Sequence, residues 1–321
     1  MRVGTTLSVP AAVELTGVVP ILEVPFAPDG EVDPTSFAHL VDHVLRSGVS
    51  AVMFPGFGSE FYKLERDEID ALSGLLLARR AAVRPGACVV LSVADHATEV
   101  AVRRAGHAVE RGADALNLLL PSFLTPAPDV LRRHLEEVLS AAAPTPVVLQ
   151  YAPAVTGAGL SPDVICEVAQ QHTNLEYVKL EANPPGKLLA RFRERAPQLR
   201  LLVGYGGTHM LDGLRRGAVG VQPGCSFVEL YLEIWNCFRN GDLAGAEKMY
   251  ARLLPYLSYW MQSVELIIAA EKMISVRRGL IAHSYCRRPG YELDHFEVEM
   301  IDRFCTDFAS LLSGHDRPTE V

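Results

Sequence analysis

Eight short apolar runs alternate with segments of helical periodicity between residues 17 and 239, and this alternation limits the fold more than any other feature. Short apolar runs bounded by turn residues are typical of buried strands, and the longer amphipathic segments between them are typical of helices. The predicted strands are 17–22, 51–54, 88–92, 115–120, 146–151, 175–180, 201–204 and 219–221.

The predicted helices lie between these strands, and several open on recognisable start signals such as Asp33-Pro34 and Ser161-Pro162. Each strand and helix together take roughly 25 to 30 residues, which matches a (β/α)8 TIM barrel of the α/β class better than a doubly wound sheet. The helical patterns cover about 34–47, 65–83, 98–111, 127–141, 161–171, 185–195, 207–217 and 226–239.

Three regions follow from this pattern. We predict a loose N-terminal arm at 1–15, the barrel at 16–239 and a C-terminal helical appendage at 240–321. The appendage carries three helical patterns, near 242–257, 260–281 and 293–313. Since no linker composition separates it from the barrel, we expect the appendage to pack tightly on it.

Charge and cysteine usage exclude several classes of protein. The net charge of −8 comes without a basic stripe, so we expect no nucleic-acid partner and no membrane surface. The six cysteines form no CxxC pair, which indicates reduced thiols rather than a disulfide framework or a zinc site. His39 and His43 have a metal-ligand spacing but no third ligand, so we expect a solvated helix face and no metal. No apolar run is long enough to cross a bilayer, and we predict a cytoplasmic protein.

Lys179 interrupts the apolar strand 175–180 and is the most conspicuous candidate for chemistry. Only five of the 30 basic Lys and Arg residues are lysines, so its presence in a buried strand calls for a reason. Burial can free a lysine amine as a nucleophile that forms Schiff bases, although a solvated strand-end lysine is the plain alternative. Tyr151 closes strand five and the turn 56–60 follows strand two. Barrel enzymes build their sites at these strand ends, which favours the catalytic interpretation.

Several short motifs resemble the dihydrodipicolinate synthase / N-acetylneuraminate lyase family of class I pyruvate-dependent aldolases in order and spacing. Val178-Lys179 resembles the Schiff-base lysine of the family and Tyr151 with Pro153 and Thr156-Gly157 resembles its tyrosine motif. The resemblance covers nearly the whole chain. Its other parts are the opening from Gly17 to Asp33, the turn Gly56-Phe57-Gly58-Ser59-Glu60, Gly217 to Gly220, and Gly241-Asp242.

The resemblance implies a mechanism without a cofactor. Lys179 would form an iminium with pyruvate or a related 2-keto acid, Tyr151 would shuttle protons, and backbone N–H groups around Gly58 and Ser59 would hold the carboxylate. Relatives are dimers of dimers, so the resemblance also implies a homotetramer.

Two further strand ends are candidates for substrate binding. Gly204 ends strand seven and Val221 ends strand eight, and barrels often use the loops that follow for anionic or polyhydroxyl groups. Simple turn chemistry is the alternative. Glu181 lies two residues beyond Lys179 and should face the same way. It would favour the ammonium form of Lys179 or bind a cationic or hydroxylated substrate.

The chain departs from the family pattern at several positions. Phe57 and Gly58 stand where two threonines are usual and Ser59 stands at the usual glycine, so a serine hydroxyl would have to replace the threonine relay. Ser122-Phe123 replaces a tyrosine pair after Pro121. The tyrosine motif is one residue shorter than usual. Val155 replaces the arginine of the lysine-biosynthetic synthases, which argues against that activity and towards the sugar-acid branch.

The sequence therefore predicts a class I aldolase or lyase that makes or breaks a carbon–carbon bond adjacent to pyruvate or a related 2-keto acid, with an aldehyde as second substrate. Two alternatives stay open. The first is a dehydratase of 2-keto-3-deoxy sugar acids that uses the same lysine iminium. The second is a catalytically inactive keto-acid-binding member of the family.

Overall fold

The computed structural model of the chain describes residues 14–157 and 159–312. Over this part the chain forms one sheet of eight parallel strands in the order β1-β8-β7-β6-β5-β4-β3-β2, which confirms the predicted (β/α)8 barrel. The strands are β1 Gly17–Val18, β2 Ala51–Phe54, β3 Cys88–Val93, β4 Ala115–Leu119, β5 Val147–Tyr151, β6 Leu175–Leu180, β7 Arg200–Val203 and β8 Gly220–Val221.

The barrel closes between β2 and the segment after β1. The Met53 N–H donates to the Pro20 carbonyl at 2.9 Å, and the Leu22 N–H donates to the Met53 carbonyl at 3.0 Å. Ile21 forms isolated bridges to both Met53 and Gly224. The regular part of β1 is shorter than the predicted 17–22 because Pro20 has no N–H to continue a ladder.

The helices surround the barrel as predicted, with two local differences. Asp33 caps the first helix by accepting hydrogen bonds from the Thr35 and Ser36 N–H groups, both at 3.0 Å. A short helix after β5 was not predicted. The predicted helix 207–217 is shortened because Gly206 and Gly207 have φ values of 59° and 77°. The helices are α1 Pro34–Arg46, α2 Arg66–Val83, α3 Thr98–Glu110, α4 Pro128–Ala142, α5 Pro153–Thr156, α6 Pro162–Gln171, α7 Gly186–Arg195, α8 Met210–Arg215 and α9 Val228–Arg239.

In the part of the chain that the structure describes, four helices follow the barrel: α10 Leu243–Trp260, α11 Val264–Arg277, α12 His295–Asp307 and α13 Ala309–Leu312. Aromatic rings join this appendage to the barrel. Phe227, in the loop after β8, lies 6.1 Å from Trp260 and 5.1 Å from Phe304 between ring centroids. No helix in the described ranges is long and apolar enough to cross a membrane.

Side chains inside the barrel form an apolar plug at its N-terminal end. Leu15 belongs to this plug although we assigned it to a loose arm, and its N–H donates to the Tyr177 hydroxyl at 3.1 Å. The rest of the predicted arm, 1–13, lies outside the described residues. The plug also contains Val19, Ile21, Ala51, Met53, Val90, Ala115, Val148 and Leu202. Above it, at the C-terminal ends of the strands, the interior becomes polar.

Closure of the barrel leaves no room for a side chain at Gly220. A Cβ atom there would overlap the backbone of Gly17 on the paired strand β1. We expect Gly220→Ala to lower the free energy of unfolding by about 3 kcal/mol, because a backbone clash cannot be relieved by a rotamer change. Denaturant unfolding measures this.

Gly106→Ala is the matched control, since a Cβ atom at that position in α3 would meet no atom within 4 Å. We expect it to raise stability by about 0.5 to 1 kcal/mol through the helix preference of alanine. A Gly220→Ala protein as stable as the parent would contradict the tight β1–β8 contact.

Candidate active site

A pocket opens at the C-terminal ends of the strands, between the barrel and the appendage. Its polar lining comprises Lys179 and Glu181 at the end of β6, Gln222 after β8 and Glu271 on α11. The rest of the lining is mainly apolar or glycine: Ile21, Phe57, Gly58, Val155, Tyr205, Gly206, Pro223, Gly224, Met261, Val264, Ile267 and Ile268. The pocket is therefore closed on one side by helices that do not belong to the barrel.

Lys179 and Glu181 form a buried ion pair at this pocket. The distance from Lys179 Nζ to Glu181 Oε1 is 2.7 Å, and Lys179 is only 1% exposed. They face the same way because side chains two residues apart along an extended chain share a side. Gly204 makes room for the pair, since a Cβ atom there would overlap Glu181 Cγ. Gly204 thus supports Glu181 rather than lining the pocket.

A short chain of side-chain amides continues from the ion pair across the barrel mouth. Gln150 Nε2 donates to Glu181 Oε1 at 3.2 Å, and Asn117 Nδ2 donates to Gln150 Oε1 at 3.0 Å. Since Glu181 Oε1 also lies 2.7 Å from Lys179 Nζ, this one oxygen is the acceptor of two N–H groups. Asn117 and Gln150 were not predicted as site residues, although both are amides in otherwise apolar strands.

Tyr151 does not reach the pocket. Gln150 points into the barrel mouth, so its neighbour Tyr151 points outwards to the helical shell. There its ring lies 6.4 Å from that of Phe192 on α7. Burial raises the pKa of the Tyr151 hydroxyl, and Arg191 partly offsets this. The expected proton shuttle is therefore displaced by one residue, because Gln150, and not Tyr151, is the register partner of the inward-facing Lys179.

Val221 shows the same one-residue displacement on β8. It packs in the outer core between the barrel and the helices, where a Cβ atom at Gly207 would lie 3.3 Å from one of its methyl groups. The next residue, Gln222, turns into the pocket instead. At the pocket position that we expected for Val221 the structure places Gln222, whose polar side chain in an apolar segment was the available signal.

The turn that follows β2 brings Gly58 to the pocket but uses Ser59 internally. Ser59 is fully buried, and its hydroxyl donates to the Leu22 carbonyl and accepts from the Gly56 N–H. The Ser59 N–H donates to the Gly56 carbonyl at 2.9 Å. The Ser59 hydroxyl therefore holds the turn in shape, and it does not replace the missing threonine relay.

Glu60, the last residue of this turn, ties β2 to the appendage. Its carboxylate is fully buried and pairs with Lys272 of α11 and, at 3.0 Å, with Lys63. Lys272 also donates to the Tyr285 carbonyl at 3.0 Å and lies 4.3 Å from the centre of the Phe26 ring. This network fixes α11 against the mouth of the barrel.

Two buried glutamates stand beside the pocket with raised pKa values. Burial, together with the charge of Glu23, raises the pKa of Glu271 to about 8. Burial likewise raises the pKa of Glu23 to about 6, although Lys272 and Arg278 act against it. Neither residue was predicted from the sequence. Glu271 in particular lies in an ordinary helical pattern far along the chain from Lys179.

The two histidines with metal-ligand spacing have structural partners. His43 Nε2 lies 2.7 Å from Glu229 Oε1, and His39 Nδ1 lies 3.1 Å from the Leu280 carbonyl. His43 is buried rather than on a solvated face as expected. Both histidines lie on α1, outside the barrel mouth. His43 connects α1 to α9, and His39 connects α1 to the segment after α11.

The sequence profile of the Dihydrodipicolinate synthetase family matches residues 14–305. The chain belongs to this family. Membership confirms the resemblance seen in the motifs, and with it the predicted class of protein, an enzyme of the lyase type among the pyruvate-dependent aldolases.

Relatives within the family carry different names. An Escherichia coli K12 protein named "Probable 2-dehydro-3-deoxy-D-pentonate aldolase YjhH" is 26% identical over 284 residues, covering 86% of this chain and 91% of that protein. The L-2-keto-3-deoxyarabonate dehydratase of Azospirillum brasilense is 26% identical over 293 residues, covering 86% and 89%. A 4-hydroxy-tetrahydrodipicolinate synthase of Exiguobacterium is 25% identical over 309 residues, covering 95% and 99%. Relatives named for three different reactions thus share about the same sequence identity with this chain.

Solved structures share the fold. The dihydrodipicolinate synthase from Rhodopseudomonas palustris superposes with a TM-score of 0.82 at 22% identity, covering 91% of this chain and 97% of its own. The crystal structure of YagE from Escherichia coli K12 in complex with pyruvate gives a TM-score of 0.82 at 22% identity, covering 92% and 98%. These likenesses support the barrel and its helical appendage.

The Glu60 network gives a prediction about stability. We expect Glu60→Leu to lower the free energy of unfolding by about 3 to 5 kcal/mol, because it leaves the ammonium of the buried Lys272 without a counter-charge. Adding Lys272→Met should recover much of this loss. Chemical denaturation of the single and double variants measures it, and losses that simply add would show that the two charges are not coupled.

Proposed function

We propose that this protein is a class I aldolase or lyase in which the Lys179 amine forms an iminium with C2 of pyruvate or a related 2-keto acid. The observation that carries the proposal is the buried ion pair at the pocket, with Lys179 Nζ 2.7 Å from Glu181 Oε1. A lysine that is buried beside a proton acceptor can be converted to the neutral amine that attacks a carbonyl. Among the described residues that line the pocket, Lys179 is the only one with an amine side chain.

The proposed reaction begins with transfer of a proton from Lys179 to Glu181. The neutral amine adds to C2 of the keto acid, and Glu181 then returns its proton to the carbinolamine hydroxyl, which leaves as water to give the iminium and restores the Glu181 carboxylate. Loss of a proton from C3 then places an electron pair in the C2–C3 bond and forms an enamine. The enamine carbon attacks an aldehyde carbonyl, whose oxygen takes up a proton. Water finally hydrolyses the product iminium and restores the Lys179 amine.

Glu181 is the group that we propose as the proton carrier at C3. Tyr151 faces α7, and the Ser59 hydroxyl donates to a backbone carbonyl, which leaves neither in contact with the pocket. Glu181 lies at the pocket and is held by Gln150, so its carboxylate is oriented without a tyrosine. A positioned carboxylate contributes about 10²- to 10⁴-fold as a general base.

Backbone N–H groups of the turn after β2 would contribute to binding the keto-acid carboxylate. The Ser59 and Glu60 N–H groups are already donated to the carbonyls of Gly56 and Phe57. We therefore propose that the N–H groups of Phe57 and Gly58, both of which line the pocket, face the carboxylate.

The side chains that line the pocket beyond Lys179 indicate the kind of second substrate that fits. Val155, Met261, Val264, Ile267 and Ile268 present apolar side chains there. This lining supports an aldehyde with an apolar substituent more than a polyhydroxylated one, since buried hydroxyls without partners are costly. Short aliphatic aldehydes are therefore the first to screen.

Dehydration of a 2-keto-3-deoxy sugar acid is the second candidate function. The same iminium and the same base at C3 would expel a hydroxyl group instead of forming a carbon–carbon bond. The similarity to the Azospirillum brasilense dehydratase supports this candidate. Release of an aldehyde from the cleaved substrate distinguishes lyase from dehydratase chemistry. The homotetramer and the cytoplasmic location remain predictions.

Borohydride trapping tests the iminium directly. We expect incubation with pyruvate and borohydride to add one reduced pyruvate to Lys179, detected by peptide mass spectrometry. Lys179→Ala should abolish the adduct, and the exposed Lys187 on α7 is the internal control that should stay unlabelled. An absence of adduct with pyruvate and with larger 2-keto acids would remove the aldolase proposal and favour a catalytically inactive binding protein.

Proton exchange at the pyruvate methyl group tests the role of Glu181. We expect Glu181→Gln to slow this exchange into D2O by about 10²- to 10⁴-fold, because an amide cannot take the C3 proton. Tyr151→Phe should change the rate by less than about threefold, since the ring packs against Phe192. Proton NMR follows the exchange. The opposite ranking of these two variants would return the proton shuttle to Tyr151.

A further inference from the structure

The pocket wall formed by the end of β8 and by α11 contains two buried polar groups that the steps above do not use. Gln222 is 1% exposed, and neither its amide nitrogen nor its amide oxygen has a hydrogen-bond partner among the described residues. Unpaired amide groups are rare inside proteins because their desolvation costs about 1 to 3 kcal/mol. A buried amide that lines a pocket and lacks a protein partner indicates a ligand that supplies one.

Glu271 lies on the same wall, and the fold makes space for its carboxyl group. It is 7% exposed, and a Cβ atom at Gly224 would overlap both of its carboxyl oxygens. The glycine after β8 therefore lets the carboxyl reach the backbone beside Gln222. Because burial and Glu23 raise its pKa to about 8, Glu271 is mainly a neutral carboxylic acid at pH 7 and can donate an O–H hydrogen bond.

A 2-keto acid brings a negative charge to a pocket that has little positive charge to receive it. Lys179 is the cation among the described residues that line the pocket, and it is already paired with Glu181. The cations behind the wall are engaged elsewhere: Lys63 and Lys272 pair with Glu60, and Arg278 pairs with Glu229. Phe57 and Gly58 offer no hydroxyl groups. An ionised Glu271 would repel the substrate carboxylate, whereas a neutral one would bind it.

We propose that the neutral carboxyl of Glu271 and the amide of Gln222 join the Phe57 and Gly58 N–H groups in binding the carboxylate of the 2-keto acid, by donating an O–H and an N–H hydrogen bond respectively. The identity of the ligand rests on the proposed function, whereas the anion site itself does not require the iminium. Binding of the acid then depends on a proton that the appendage helix α11 holds in the pocket.

The direction of the pH dependence follows from the groups that face Glu271. Glu23 faces it from the segment after β1, Cys225 from the loop after β8 and Tyr231 from α9, while Lys179 and Glu181 line the same pocket. The pKa values of the Cys225 thiol and the Tyr231 hydroxyl are raised well above their usual values by burial, so both stay neutral and Glu23 is the charge that matters.

Glu271 donates while protonated and repels an anion once it ionises. Affinity for a carboxylate is therefore full below about pH 8 and falls as pH rises through that value. Between pH 7 and pH 9 the neutral fraction of Glu271 falls about tenfold, and affinity should fall by the same factor.

The experiment uses the full chain and lactate, which keeps the carboxylate of pyruvate but has no ketone to form an iminium. We expect lactate, titrated by ligand-observed NMR, to bind about tenfold more weakly at pH 9 than at pH 7. Lactamide is the matched neutral probe, and its binding should change little with pH. Glu271→Gln should remove the pH dependence and keep binding, because the amide still donates at both pH values.

Two further variants keep the test decisive. Gln222→Leu should weaken lactate binding about tenfold at pH 7, because it removes an N–H donor to a charged group. Glu23→Gln should move the midpoint of the pH dependence below about 8, because it removes the charge that raises the Glu271 pKa. The Glu23→Gln variant tests the pH dependence if Glu271→Gln does not fold.

The proposal is overturned if lactate fails to bind at pH 7, if lactamide shows the same pH dependence as lactate, or if Glu271→Gln or Glu23→Gln leaves that dependence unchanged. Borohydride trapping on Lys179 separates this outcome from the fate of the proposed function. An adduct at Lys179 without the lactate effect would reject only the anion site. The lactate effect without an adduct would reject only the Schiff base.

Discussion

The strict alternation of side chains along the barrel strands is the constraint on which this site depends. Each strand end offers every second side chain to the mouth and the others to the helical shell. Lys179 and Gln150 take the inward positions on β6 and β5, and their neighbours Leu180 and Tyr151 pack outwards. At the end of β8, Val221 likewise packs outwards, and the next residue, Gln222, faces the pocket. The chemistry available in the pocket is therefore decided by single-residue register.

Around the mouth, buried carboxylates are compensated in three ways. Glu181 pairs with the proposed nucleophile, so its charge is tied to the chemistry. Glu60 and Glu229 pair with Lys272 and Arg278, and these contacts hold the appendage on the barrel. Glu271 has no such cation, and its pKa rises because protonation is the remaining way to avoid a buried charge. Protonation thus sets Glu271 apart from the carboxylates that are neutralised by a paired cation.

Much of the fold and the position of Lys179 could be predicted from the sequence, because hydrophobic periodicity, helix caps and turn residues are local properties of the chain. Strand and helix positions, the cap at Asp33 and the strand-end location of Lys179 all depend on a few neighbouring residues. The predictions at Tyr151 and Val221 differ from the structure because the neighbouring residues do not fix which side of the strand each residue faces. Gln222 and Glu271 meet only through the packing of α11 on the barrel, a tertiary contact without a local pattern.

The contribution of α11 to the pocket separates two properties of the site along the chain. The proposed nucleophile Lys179 lies on β6, in the barrel, whereas much of the apolar pocket wall comes from the appended helices. Substitutions on one face of α11 can therefore alter which acids enter without touching the nucleophile. In a family whose members carry such different names, this helix is a place where substrate preference can diverge while carbonyl chemistry is inherited unchanged.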